Sequence, residues 1–169
     1  IDYAFNQIEV EGYAVVHDRI PLVKVKPGIP LNLLLFTLDE SGTLFSLNKL
    51  AEGKVKCLIV GNNMITNLIF GYVLRRKLGP EGEITCLLDR KTGIQITGGG
   101  IDRLVSLVFN QIHYLDILKP VECLEKLNAE SLFDLSVNCA EIPGAETVNI
   151  LATRPGGTVL FANLINNLN

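Results

Sequence analysis

The chain has 169 residues, 48 % of them hydrophobic, and a net charge of −3 with its Lys and Arg scattered, enough for one good core and without the electrostatic footprint of a nucleic-acid binder. Its longest apolar runs, such as LLLF at 33–36 and CLIV at 57–60, fall far short of the roughly 18 residues of a membrane span, so a soluble, cytoplasmic protein without membrane contact is expected. Four widely separated cysteines without CxxC spacing, and only His17 and His113, leave no zinc ligand set and suggest small buried thiols in a reducing compartment.

The chain opens on Ile1 rather than Met, and the expectation is a piece of a longer protein. Alternation in IEVEGYAVVH (8–17) fits one or two edge strands, and LVKVKPG (22–28) ends in a Pro27-Gly28 turn. From 31 to 50 apolar residues recur at near-helical spacing, broken by DESG at 39–42, which suggests two short helices.

After Gly53 the rhythm becomes regular. VKCLIVG (55–61) reads as a strand and 66–78 as a helix, stopped by Gly79 and with Arg75-Arg76-Lys77 complementing its dipole. EITCLLD (83–89) is a strand, TGGG (97–100) a flexible loop with a lesser reading as an anion nest, and IDRLVSLVF (101–109) a helix. QIHYLD (111–116) is a weak third strand, VECLEKLN (121–128) a helical piece and DLSVNC (134–139) a strand. AETVNILAT (145–153) is a helix, PGG (155–157) a turn and TVLFAN (158–163) the last strand. Strands apolar on both faces alternating with helices indicate a mostly parallel, doubly wound α/β sheet of Rossmann-like type over 53–169. About five βα units are present, so the sheet is expected to be incomplete at its C-terminal end by roughly one unit.

The turn after the first strand, within VGNNMITNLIFGYVLRRKLG (60–79), has the layout of a dinucleotide-binding loop. The three glycine places of the fingerprint fall on Gly61, Asn63 and Thr66, and only the first is glycine. Asn63 tolerates a left-handed backbone as glycine does, but its side chain points into space that a pyrophosphate fills. Met64 and Ile65 add bulk and no charge. Asp89 ends the second strand roughly 20 residues on, where an acid bonds the ribose hydroxyls; the other reading is the start of a polar turn, DRKTG. Arg90 beside it would favour a 2′-phosphate.

The segments CLIVGNNMITNL, GEITCLLDR, FDLSVNCAEIPGAETVNILATRPGGTVLFAN and EGYAVVHDRIPLVKVKPGIPLNLLLFTLDESG resemble the cofactor half of medium-chain dehydrogenases and, more narrowly, the 3,5-diaminohexanoate dehydrogenases of lysine fermentation. The resemblance covers most of the chain. It implies that the loop from Gly61 to Thr66, Asn63 included, cradles a pyrophosphate and that Asp89, with Arg90 beside it, takes the ribose. Ala140, past the fourth strand, and Asn163, past the fifth, would sit near the nicotinamide. Residues 1–52 would be an extension, a remnant of catalytic-domain strands with linking helices. The chain departs from the family at Asn62-Asn63-Met64-Ile65, so the cofactor is either NAD(P) or none. The family's catalytic domain is absent, and no catalytic residue carries over.

His17-Asp18-Arg19 reads as a surface turn and His113, beside Tyr114 and Asp116, as a hydrogen-bonded, partly buried histidine. None of the serines sits in a G-x-S-x-G context. Two functions are carried forward. One is a non-catalytic regulatory or ligand-sensing domain of a larger protein, for example a bacterial transcriptional activator of amino-acid fermentation. Its partners would be a small metabolite and the other domains of that protein, with no direct nucleic-acid contact. The other is the cofactor domain of an NAD(P)-dependent oxidoreductase, with a dinucleotide as partner. A homodimer paired through the apolar edge TVLFANLI (158–165) fits either.

Overall fold

The computed structural model describes residues 12, 13, 15, 28–30, 40–92, 100–127 and 132–162. The chain forms two compact units, Ile1–Leu34 and Leu35–Asn169. Most of the strands expected over 8–17, the 17–19 turn, the first helix expected after 31 and most of the TGGG loop lie outside the described residues; of 8–17 only 12, 13 and 15 are described, and none of them is in a strand.

In the second unit, α1 (Glu40–Leu50) starts within DESG rather than after it. It leads through β1 (Lys56–Gly61), α2 (Met64–Leu78), β2 (Glu83–Asp89), α3 (Ile101–Val108) and β3 (Gln111–Leu115) to α4 (Pro120–Lys126), β4 (Phe133–Asn138), α5 (Glu146–Ala152) and β5 (Thr153–Phe161). The five strands form one parallel sheet in the order β3-β2-β1-β4-β5, a Rossmann-like arrangement.

Alternation along the strands sorts the core into two layers. Cys57 and Ile59 of β1, Ile84, Cys86 and Leu88 of β2, and Leu135 and Val137 of β4 pack with Leu47, Met64, Phe70, Leu74 and Val108 from α1, α2 and α3. Leu58, Val60 and Leu87 point the other way and, with Phe133 ahead of the irregularity in the β4–β5 pairing, pack with Cys123, Ala145, Val148 and Ala152 of the α4 and α5 segments. Both faces of the central strands are thus covered, as their continuous apolar runs demand. All four cysteines are buried and none forms a disulfide.

Residues 155–157 are not a turn between helix and strand. Strand β5 begins directly after α5 and carries Pro155-Gly156-Gly157 as a bulge: Phe133 faces Thr153, but Leu135 faces Thr158. Two glycine properties make this possible. Gly156 is left-handed at φ 76°. A Cβ on Gly157 would stand 2.5 Å from Thr153 Cγ2 and 3.1 Å from the Asp134 carbonyl oxygen. Asp134 ties the region together, its Oδ2 accepting from the N–H groups of Val55 and Lys56 at 2.9 and 3.0 Å and its Oδ1 from Arg154 Nε at 2.7 Å.

Arg75 does more than complement a helix dipole. Its guanidinium donates to the carbonyls of Gly79 (2.8 Å), Gly82 (2.7 Å) and Val108 (3.0 Å) and to Asn110 Oδ1 (2.6 Å). Asn110 Oδ1 in turn accepts from Ile84 N at 2.8 Å. One planar cation therefore joins the end of α2, the turn into β2 and the turn into β3.

Candidate functional site

Strand order reverses at β1, which pairs with β2 on one side and β4 on the other. In a doubly wound sheet the crevice beyond the carboxyl ends of two such strands is where ligands bind. Register brings Gly61 level with Leu88, next to Asp89, and Val60 level with Asn138, two residues before Ala140. The sequence-predicted positions Gly61, Asn63, Thr66, Asp89, Arg90 and Ala140 therefore gather at one end of the sheet; Asn163 lies outside the described residues.

The loop from β1 to α2 closes on itself. Asn63 is extended, at φ −131° and ψ 118°, rather than left-handed, because it serves as the N-cap of α2, a position that favours β-region backbone. Its Oδ1 accepts from Ile65 N at 2.9 Å and Thr66 N at 3.4 Å. A helix start leaves four N–H groups without intrahelical partners, and these are what an anion uses. Two of them are already bonded to Asn63. The cap also explains why α2 begins at Met64, two residues before the predicted start.

Across the crevice, Asn62 Oδ1 accepts from Glu141 N at 3.4 Å. The loop after β4 is held by Asn138, whose Oδ1 accepts from Ala140 N at 2.9 Å and whose carbonyl accepts from Ala162 N at 2.8 Å. Ala140 is buried.

Asp89 is 3 % exposed. Its Oδ2 accepts from Lys91 N (3.1 Å), Thr92 N (2.7 Å) and Thr92 Oγ1 (2.7 Å), and its Oδ1 from Ile117 N (3.3 Å). A carboxylate offers about four acceptor sites, and four donors are present. Burial pushes the Asp89 carboxyl up, but the Thr92 hydroxyl and the N–H groups of Thr92, Ile117 and Lys91 outweigh it and hold it below the usual range. Next to it, Lys91 Nζ pairs with Asp116 Oδ2 at 2.8 Å and lowers that carboxyl in turn. Arg90 is exposed, and its N–H donates to the Leu115 carbonyl at 2.8 Å.

Away from this end, His113 is half-buried with its Nε2 3.3 Å from Gln111 Oε1, and burial lowers its pKa. Among the described residues no group of three or more His, Cys, Asp or Glu is placed to hold a metal, and no helix is long and apolar enough to cross a membrane.

Sequence reasoning missed Asn67. It is fully buried on the inner face of α2, with its Nδ2 on Cys86 Sγ at 3.3 Å and its Oδ1 without a donor. The signal was spacing: Asn67 falls on the stripe of Met64, Phe70, Gly71 and Leu74, all buried.

No family model matches the chain. It is similar to L-erythro-3,5-diaminohexanoate dehydrogenase of Acetoanaerobium sticklandii, 26 % identical over 163 residues covering 94 % of this chain and 45 % of that protein. The protein of the same name from Fusobacterium nucleatum is 21 % identical over 159 residues, again covering 94 % of this chain and 45 % of the relative. The chain thus spans less than half the length of these relatives. Among solved structures it is similar to alcohol dehydrogenase TADH from Thermus sp. ATN1, with a TM-score of 0.54 and 16 % identity over 87 % of this chain and 41 % of that one. Together these describe a dehydrogenase-like domain of Rossmann-like fold.

Proposed function

We propose that this domain keeps the dehydrogenase architecture without a working dinucleotide site and serves as a regulatory or ligand-sensing unit of a larger protein. The observation that carries the reading is the Asn63 cap, in which the side-chain oxygen takes the Ile65 and Thr66 N–H groups that a phosphate oxygen would need. The residues of the loop do not fit a pyrophosphate. A phosphate entering there would have to displace the carboxamide, forfeiting a cap of about 0.5–2 kcal/mol, and would meet no Lys or Arg between positions 61 and 66. Ribose hydroxyls reaching Asp89 would compete with four bonds the chain itself supplies.

Membership in a larger protein is supported by the 45 % share of the curated relatives that the chain covers. A bacterial transcriptional activator of amino-acid fermentation is a setting of this kind, with a small metabolite as the ligand and other domains contacting DNA. In that setting the protein is cytoplasmic, and a pairing of β5 ends between two copies is compatible with it. The second reading, the cofactor domain of an NAD(P)-dependent oxidoreductase, is favoured by similarity along 94 % of the chain to proteins named as dehydrogenases.

Calorimetric titration with NAD, NADH, NADP and NADPH separates the two. Absence of heat with all four supports the repurposed domain. Binding tighter than about 100 μM, some 5.5 kcal/mol, supports the oxidoreductase.

A further inference from the structure

Gly61 occupies the first glycine place of the fingerprint, where turn geometry is the usual reason for glycine. Its backbone does not need that freedom: Gly61 is absent from the positive-φ glycines of the described chain. What it lacks is room. A Cβ on Gly61 would stand 2.0 Å from Asn67 Oδ1, 2.8 Å from its Cγ and 3.0 Å from its Nδ2. Adding a carbon–carbon bond of about 1.5 Å puts the oxygen within about 3.5 Å of Gly61 Cα, the range of a weak Cα–H···O contact.

The Asn67 amide is paired at one end only. As placed, Nδ2 bonds Cys86 Sγ and Oδ1 is orphaned. Burial pushes the Cys86 thiol up to about 12, so the sulfur keeps its proton at physiological pH and would donate to Oδ1 if the amide were turned over. As placed, a buried oxygen without a donor is wedged against the Gly61 Cα, with Cys86 behind the amide and α2 holding its backbone.

We infer that Gly61 is a packing glycine: the Asn67 carboxamide, and no ligand, forbids a side chain at position 61. The wedge joins β1, α2 and β2 directly below the switch-point crevice. It stands independently of whether a dinucleotide binds above it, and a glycine at position 61 does not by itself imply such binding.

The test is a double-mutant cycle on the full 169-residue chain, read as the folded-to-unfolded ratio from urea titrations of wild type, Gly61→Ala, Asn67→Ala and the double variant. Gly61→Ala is expected to lower the ratio at least tenfold, 1.4 kcal/mol, in the wild-type background and less than about threefold in the Asn67→Ala background. Gly157→Ala is the control, because its Cβ would meet Thr153 Cγ2 at 2.5 Å and the Asp134 carbonyl oxygen at 3.1 Å, on β5 and β4 rather than on α2; its penalty should be the same in both backgrounds. An equal Gly61→Ala penalty with and without Asn67 overturns the inference. If Gly61→Ala alone does not fold, folding of the double variant supports the inference and its failure to fold overturns it.

Discussion

Replacing Asp134 by Asn should destabilise the domain by an amount that depends on pH. The Asp134 carboxylate accepts two backbone N–H bonds from the start of β1 and one from Arg154 on β5. Burial pushes its pKa up, and these bonds overcome that, bringing it from 3.8 down to about 2. A depressed carboxylate pKa contributes stability that is present above the unfolded value and lost as pH falls through the folded one. The full shift corresponds to about 2.4 kcal/mol at neutral pH. Asp134 is 19 % exposed but Arg154 is 47 % exposed, so screening trims this to about 1.5–2 kcal/mol. The difference in unfolding free energy between wild type and Asp134→Asn, from urea titrations at several pH values, should be nearly constant down to about pH 4.5, fall to roughly half by pH 3 and approach a floor near pH 2. Asp89 and Asp116 are also held low, but they are common to both proteins and cancel in the difference. A difference that stays flat between pH 5 and pH 2, or that is below about 0.5 kcal/mol at pH 7, would refute the reasoning.

Arg75→Ala should cost about 3 kcal/mol by chemical denaturation, because it strips the carbonyl oxygens of Gly79, Gly82 and Val108 of one shared donor. Arg76→Ala, at an exposed neighbour, should stay within about 0.5 kcal/mol. Asn63→Ala should lower stability by about 1 kcal/mol through loss of the α2 cap, with Asn63→Asp retaining most of it. Cys57 and Cys86 are buried and their thiols are pushed up to about 12, so native protein at pH 8 should react with a thiol reagent at these sites only at the rate of global opening. Addition of about 6 M urea should release them at once.

Strands whose signals are local could be read from the chain. β2 runs over the residues expected, 83–89, because a continuous apolar run lies between Gly82 and the polar turn that Asp89 opens. β5 could not be read the same way. Pro-Gly-Gly is a turn signal to its neighbours, and only register against β4 shows that the strand passes through it as a bulge. At the site, Asn63 before an apolar helical stretch is an N-cap signal in plain view, yet matching to a glycine fingerprint hides it and places the helix start two residues late. The Thr92 and Lys91 bonds to Asp89 lie within three residues and were foreseeable as a turn. The Ile117 bond comes from 28 residues away and was not. Arg75 reaches Val108 across 33 residues, and Asn67 meets Cys86 across 19. Such pairings are set by how α2 lies on the sheet, which no local pattern encodes.

The most direct test of the central claim follows the backbone amide signals of Ile65 and Thr66 by NMR while NAD or NADPH is titrated into the wild-type domain. The expected result is that neither amide moves up to about 1 mM ligand, because the Asn63 carboxamide keeps both N–H groups. Saturable shifts of these two amides, with a midpoint below about 100 μM, would mean that the cap opens to a pyrophosphate and would contradict the loss of the dinucleotide site.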